Sequence, residues 1–269
     1  MTTPVPQGSS AQLPGRNESI PALSIAGLHK VFGDTVAVNH IDLAVPQGSF
    51  FGVVGPNGAG KTTLLSMAVG LLRPTSGQVK VFGLDVWAEA TRAKAMLGVL
   101  PDGLALPERL TGRELLTFLG RLRGLDPATV AQRSEDLLSV TGLTKAERTL
   151  VIDYSTGMRK KIGLATALLH SPKLLVLDEP FEAVDPVSAA TLKAILQRFV
   201  AAGGTVVLSS HVMALVEQLC DSVAVIANGS LAASGPLAQV RAGRSLEETF
   251  MQLVGVEVSG EEQLSWLAS

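Results

Sequence analysis

The chain has 269 residues and a formal net charge of −2, a balance that offers no bulk attraction to nucleic acid or to an anionic lipid surface. Hydrophobic residues make up 46%, yet no run approaches the ~18 consecutive apolar residues that a membrane span needs. Cys220 is the only cysteine, which excludes an intrachain disulfide and fits a reducing compartment, and no basic stretch leading into an apolar core suggests a secretion signal.

In chain order, residues 1–21 are rich in Pro, Ser, Thr and Gly and are expected to form a disordered tail. Structure is expected from Ala22. "ALSIAGLHKVF" and "VAVNHIDLAV" read as strands with a turn at Gly33–Asp34, and "SFFGVVG" reads as a buried strand. "KTTLLSMAVGLL" reads as a helix and "GQVKVFG" as a further strand. From Thr91 to about residue 155 the apolar spacing turns to three and four, as in "RELLTFLGRLRGL" and "PATVAQRSEDLLSVTGL", which predicts a helical insertion. "KLLVLDE" and "TVVLSS" are continuous apolar runs ending in polar residues, the pattern of parallel strands covered on both faces. "SVAVIANGSLAASG" reads as a hairpin turning at Asn228–Gly229. The predicted fold class is α/β: a phosphate-loop nucleotide-binding core with a mainly parallel sheet, an antiparallel β lobe and the helical insertion. The domain is expected to span 22–255, with a C-terminal tail over 256–269.

Four motifs carry chemistry. "GPNGAGKT" matches the phosphate-binding loop G-x-x-x-x-G-K-[ST], between a strand and a helix. Gly55, Pro56, Asn57, Gly58, Ala59, Gly60, Lys61, Thr62 and the following Thr63 are therefore assigned to nucleotide binding. The glycines let backbone N–H groups approach an anion, Lys61 would reach the β- and γ-phosphates, and the Thr62 hydroxyl would ligate Mg²⁺. The plain alternative is a chance glycine-rich turn. "LLVLDEP" ends an apolar strand with two acids; Asp178 is placed to hold Mg²⁺ and Glu179 to orient or deprotonate the attacking water. The competing reading is a helix N-cap. "DYSTGMRKKIGLATALL" opens a helix at a polar loop, where Ser155 and the backbone N–H of Gly157 could bind a phosphate, or where Ser155 could simply cap the helix. His211 ends "VVLSSH"; it can hydrogen-bond a γ-phosphate or the catalytic carboxylate, or serve structure alone.

With "GPNGAGKTT", "YSTGM", "LLVLDEP", "AVDP" and "SSH" in this order, the chain resembles the ATP-binding subunit of an ABC transporter over roughly 23–253. The ending "SLEETFMQLVG" looks like the branch that exports drugs, antibiotics and polysaccharides. The resemblance implies an ATP hydrolase using ATP and Mg²⁺, with Glu179 and His211 catalytic and Phe32 stacked on adenine; the alternative for Phe32 is a core aromatic of the first hairpin. It implies that Ser155, Gly157 and Asp185 contact ATP held by a second ATP-binding subunit, identical or paralogous. It places Asp102 at the loop that usually carries a glutamine beside the Mg²⁺, with Thr62 and Asp178 as its fellow ligands, and Thr156 where a glycine is usual. A separate membrane-spanning permease follows as a partner, with this subunit cytoplasmic and peripheral on the inner face of the membrane, and no nucleic acid. The competing function is a soluble ATPase of the same type remodelling ribosomes or DNA; such relatives usually carry doubled motif sets or a long coiled coil, and neither is present here. "GLALPERLTGREL", with Leu104, Leu106 and Leu110 beside Pro107, is expected to dock the permease, or else to pack on its own lobe.

Overall fold

A computed structural model describes residues 20–103 and 105–254. The two terminal tails expected from the sequence lie almost wholly outside the described residues, as does Leu104.

The chain opens with the antiparallel pair β1 (Leu23–Phe32) and β2 (Thr35–Val45). In β2 the buried residues Ile41, Leu43 and Val45 alternate with exposed ones, the signature of a strand with one covered face. β3 (Phe50–Val54) is buried at every residue, as its unbroken apolar run requires of a central strand. α1 (Lys61–Ala68) follows. It is shorter than the apolar spacing suggested, because Gly70 adopts φ 71° and turns the chain out of the helix. Then come β4 (Ser76–Val81), β5 (Leu84–Asp85), α2 (Ala90–Ala95) and β6 (Leu97–Leu100).

β6 corrects the sequence reading. The stretch taken as helical from residue 91 contains a strand of the main sheet, and the helices of the lobe begin with α3 (Gly112–Leu122) and α4 (Pro127–Val140). A four-residue apolar run directly after a short helix carries too few residues for its period to be read. Both lobe helices have well-marked starts. Thr111 and Glu114 form a reciprocal capping box on α3, and Asp126 caps α4 ahead of Pro127.

Two 3-10 turns, at Thr144–Ala146 and Val151–Asp153, lead to α5 (Thr156–Leu168) and β7 (Leu174–Leu177). The chain continues through α6 (Pro186–Ala201), β8 (Thr205–Ser210) and α7 (Met213–Leu219). It closes with the hairpin β9 (Ser222–Ala227) and β10 (Ser230–Pro236), then α8 (Leu237–Arg241) and α9 (Leu246–Val254). The predicted turn at Asn228–Gly229 is present, with φ 48° and 74°.

The main sheet has the order β10-β9-β3-β8-β7-β6 and is parallel except for β10; the second sheet, β2-β1-β4-β5, is antiparallel. One apolar core lies between the antiparallel sheet, α1 and the main sheet, and a second covers the opposite face of the main sheet under α6, α7 and α9. The third belongs to the helical lobe. α5 joins the last two: Leu164 and Ala167 pack into the second core, while Ile162, Ala165 and Leu169 just past its end pack into the third.

The loop expected to dock a permease is partly inward. Leu106 is only 9% exposed and packs with Leu115, Leu116 and Tyr154 in the lobe core, and Leu110 packs against the same cluster. Pro107 is exposed. For Leu106 and Leu110 the packing alternative is the correct one, because an apolar side chain with a lobe core below it loses more surface to that core than to solvent.

Candidate functional site

Parallel pairing sets the site. Val54 at the end of β3 registers with Ser210 at the end of β8, and Leu177 at the end of β7 registers with Leu208. The phosphate loop, the Asp178–Glu179 pair and His211 therefore emerge from the carboxyl ends of three adjacent strands. That edge is where open α/β sheets place their ligands.

The loop is held by close backbone approach. A Cβ on Gly55 would meet the carbonyl oxygen of Ile226 at 2.3 Å, and one on Gly60 would meet that of Ala37 at 2.3 Å. Gly60 also has φ 101° at the N-cap of α1, and Gly58 has φ 80°. Lys61 is 5% exposed; its Nζ donates to the carbonyl oxygens of Gly55 (2.8 Å) and Pro56 (3.2 Å) and lies 3.5 Å from Glu179 Oε1. Asn57, Gly58, Gly60, Lys61, Thr62 and Thr63 line one open cavity together with Asp102, Glu179, Glu182 and Ala37. Gly55 and Pro56 instead border a second cavity shared with His211 and α9.

Asp178 and Glu179 follow directly on the end of β7 and are 5% and 8% exposed. They do not cap a helix, since α6 starts later, at Pro186, with Asp185 as its cap. Ser209 holds both: its hydroxyl donates to Asp178 Oδ1 (2.5 Å) and accepts from the Glu179 N–H (2.9 Å). His211 Nδ1 lies 3.0 Å from Glu179 Oε2. Glu179 Oε1 is buried without a hydrogen bond, so the carboxylate keeps an acceptor free towards Lys61 and the cavity. Glu179 adopts φ 44°, a left-handed conformation that costs a non-glycine residue about 1–3 kcal/mol and persists where surrounding contacts over-determine it.

Thr62, Asp102 and Asp178 line a common small pocket beside α1. One hydroxyl and two carboxylates form an all-oxygen donor set, the kind Mg²⁺ takes when phosphate and water complete its shell. With Glu179 and the Lys61 cation on the same cavity, the residues fit Mg²⁺ and a triphosphate.

Other assigned residues lie apart. Phe32 is 49% exposed at the end of β1, with the Lys30 ammonium 4.9 Å above its ring, so it is not a core aromatic. It does not line the phosphate cavity, although Ala37, on the strand paired with β1, does. Ser155 is exposed and caps α5, accepting from the Met158 N–H at 3.3 Å. Gly157 packs so tightly on α6 that a Cβ there would lie 2.7 Å from both Asp185 Oδ2 and Ser188 Oγ. Asp185 accepts from Val187 N (3.1 Å) and Ser188 N (2.9 Å), and hydrogen bonding from Ser188 holds its carboxyl below the usual value. Gly157 is thus buried against the start of α6 at Asp185, and none of Ser155, Gly157 and Asp185 lines the chain's own phosphate cavity. Sequence reasoning missed Ser209 and Lys160. "SSH" offers two serines, and only the strand register shows that Ser209 is the one facing the acids.

Comparison with known proteins places the chain in a family. Residues 38–182 match the family model described as ABC transporter. The daunorubicin/doxorubicin resistance ATP-binding protein of Streptomyces peucetius is 38% identical over 82% of this chain and 67% of its own length. A Nod factor export ATP-binding protein of Rhizobium sp. (strain N33) is 34% identical over 92% and 86%. A solved structure described as the ATP-binding subunit of an ABC transporter superposes with a TM-score of 0.80 at 28% identity, covering 86% of this chain and 99% of that one. The chain belongs to the ABC transporter family as an ATP-binding, ATP-hydrolysing subunit.

Proposed function

We propose that this subunit powers a membrane exporter by binding and hydrolysing ATP, and that it does so in a pair of ATP-binding subunits. The observation that carries the reading is the meeting of Lys61, Asp178, Glu179 and His211 at the ends of β3, β7 and β8. Relatives named for antibiotic resistance and Nod factor export favour the exporter over a soluble remodelling ATPase.

Each residue has a task that its position supports. The loop Gly55–Thr63 offers backbone N–H groups and the start of α1 to phosphate. Lys61 supplies the buried cation for the β- and γ-phosphates. Thr62, Asp178 and Asp102 would hold Mg²⁺, which would offset the negative charge of the phosphates. Glu179, steadied by His211 and Ser209, accepts a proton from water lined up on the γ-phosphate. Phe32 presents an exposed ring face on which adenine can stack.

That Ser155, Gly157 and Asp185 do not line their own cavity supports a shared site, in which these residues face ATP held by a second, identical or paralogous subunit. Among the described residues no helix is long and apolar enough to cross a membrane. In the proposed reading a separate permease supplies the path, with this subunit on its cytoplasmic side at the inner face of the membrane. The test is affinity purification of the tagged chain from detergent-solubilised membranes of its host. A co-purifying polytopic membrane protein is the expected result; recovery solely with ribosomes or DNA would overturn the reading.

A further inference from the structure

We propose that Lys160 is a positioning residue for Glu179. Lys160 lies in the first turns of α5 with its side chain 12% exposed, and its ammonium donates to the main-chain carbonyl of Glu179 at 2.9 Å. Burial of an ammonium is costly unless it is well partnered, and here its nearest carboxylate, Asp102 Oδ1, is 3.9 Å away. The bond to Glu179 is thus the main use of the buried charge.

Glu179 is the residue that needs such a tie. Its φ of 44° is unfavourable for a side chain bearing a Cβ. Its N–H is fixed from β8 by Ser209, and its carboxylate is flanked by His211 and Lys61. The carbonyl accepts from Lys160 on α5 at 2.9 Å and, over a longer 3.3 Å, from Glu182 N–H. Without Lys160, only the longer bond from Glu182 N–H holds that carbonyl, and the peptide after Glu179 can relax towards ordinary backbone angles, swinging the carboxylate off the cavity. Asp102, beside the Mg²⁺ pocket, lies within ion-pair range of the same ammonium, so one cation spans the metal-side loop and the base. Because α5 packs into both the sheet core and the lobe core, the tie also makes the base sensitive to where the lobe sits.

This inference rests on the reading of Glu179 as the base, and the experiment separates the two. Full-length wild type, Lys160→Met, Lys160→Arg and Glu179→Gln are compared by phosphate release with Mg-ATP, by fluorescent-nucleotide titration and by thermal melting. Lys160→Met is expected to lower turnover at saturating ATP about 10- to 100-fold, the upper end being the cost of misplacing an acting group by about 1 Å. KM and nucleotide affinity should stay within about twofold, the pattern of a lost contribution to the transition state alone. Lys160→Arg, which keeps a donor, should recover most of the turnover. Hydrogen exchange of the nucleotide-free protein should be faster across 178–184 in Lys160→Met. Wild-type turnover in Lys160→Met beside an inactive Glu179→Gln overturns the proposal, and so does a parallel fall in turnover and nucleotide affinity. Normal turnover in Glu179→Gln overturns the underlying reading of the base instead. Should Lys160→Met melt far below wild type, Lys160→Leu, which likewise has no donor, carries the same comparison.

Discussion

Lys61→Met separates the two tasks that the structure gives this lysine. Methionine keeps the length and apolar stem but removes the ammonium. In the nucleotide-free protein that ammonium donates to two carbonyl oxygens and sits 3.5 Å from a carboxylate that is itself 8% exposed. Removing one member of a buried ion pair costs about 3–5 kcal/mol, and the low end applies here because His211 remains beside Glu179. For a chain of this size, about 3 kcal/mol corresponds to a fall in Tm of roughly 6–12 °C. The double variant Lys61→Met/Glu179→Gln should regain much of that loss, since no buried charge is left alone. Tight ATP binding should be lost in both variants, as neither keeps the cation aimed at the phosphates. Calorimetry gives the melting comparison and fluorescent-nucleotide titration the affinity. Additive melting effects would refute the ion pair as an energetic unit, and unchanged affinity in Lys61→Met would refute the role of Lys61 in phosphate binding.

Leu106→Asp should destabilise the chain by about 3 kcal/mol, because it puts a charge into the lobe core; urea denaturation checks this, and loss of membrane association in that variant would report on the lobe and not on docking. His170 predicts a pH effect. Burial, followed by the nearby Arg123, lowers its pKa from 6.5 to about 4, while Nε2 donates to Leu97 O and Nδ1 is buried without a partner. The unfolded chain therefore binds a proton between about pH 6.5 and 4 that the folded chain refuses, so stability falls as pH drops through that window. His170→Gln should flatten the corresponding fall in Tm; an unchanged slope between pH 6.5 and 4 would show that His170 is not its source.

Much of this site can be read from local patterns. The phosphate loop announces itself because its spacing, preceding strand and following helix are all consecutive in sequence. Asp178 and Glu179 are legible because two acids ending a buried apolar strand are costly without a purpose. The hairpin at Asn228–Gly229 is legible because its turn chemistry is local. What escapes is set by register or distance. β6 is too short to show a period. Ser209 and Ser210 are indistinguishable until pairing with β3 and β7 fixes which faces Asp178. Lys160 is one of two consecutive lysines, and nothing local marks it as the one reaching Glu179, 19 residues on. Leu106 looks exposed in a loop beside Pro107 because its partners, Leu115 and Tyr154, come from different elements of the lobe.

The central claim, that Glu179 acts on ATP gripped between two subunits, is tested most directly by Glu179→Gln in the presence of Mg-ATP. The change keeps size and hydrogen-bonding reach, removes the basic carboxylate and takes away a negative charge near the triphosphate. Size-exclusion chromatography with light scattering, beside phosphate release, gives both readouts on one sample. Glu179→Gln should bind ATP at least as tightly as wild type, hydrolyse it at least ~100-fold more slowly, as for loss of a general base, and persist as an ATP-bound dimer. A Glu179→Gln protein that turns over ATP normally and stays monomeric in Mg-ATP would contradict the claim.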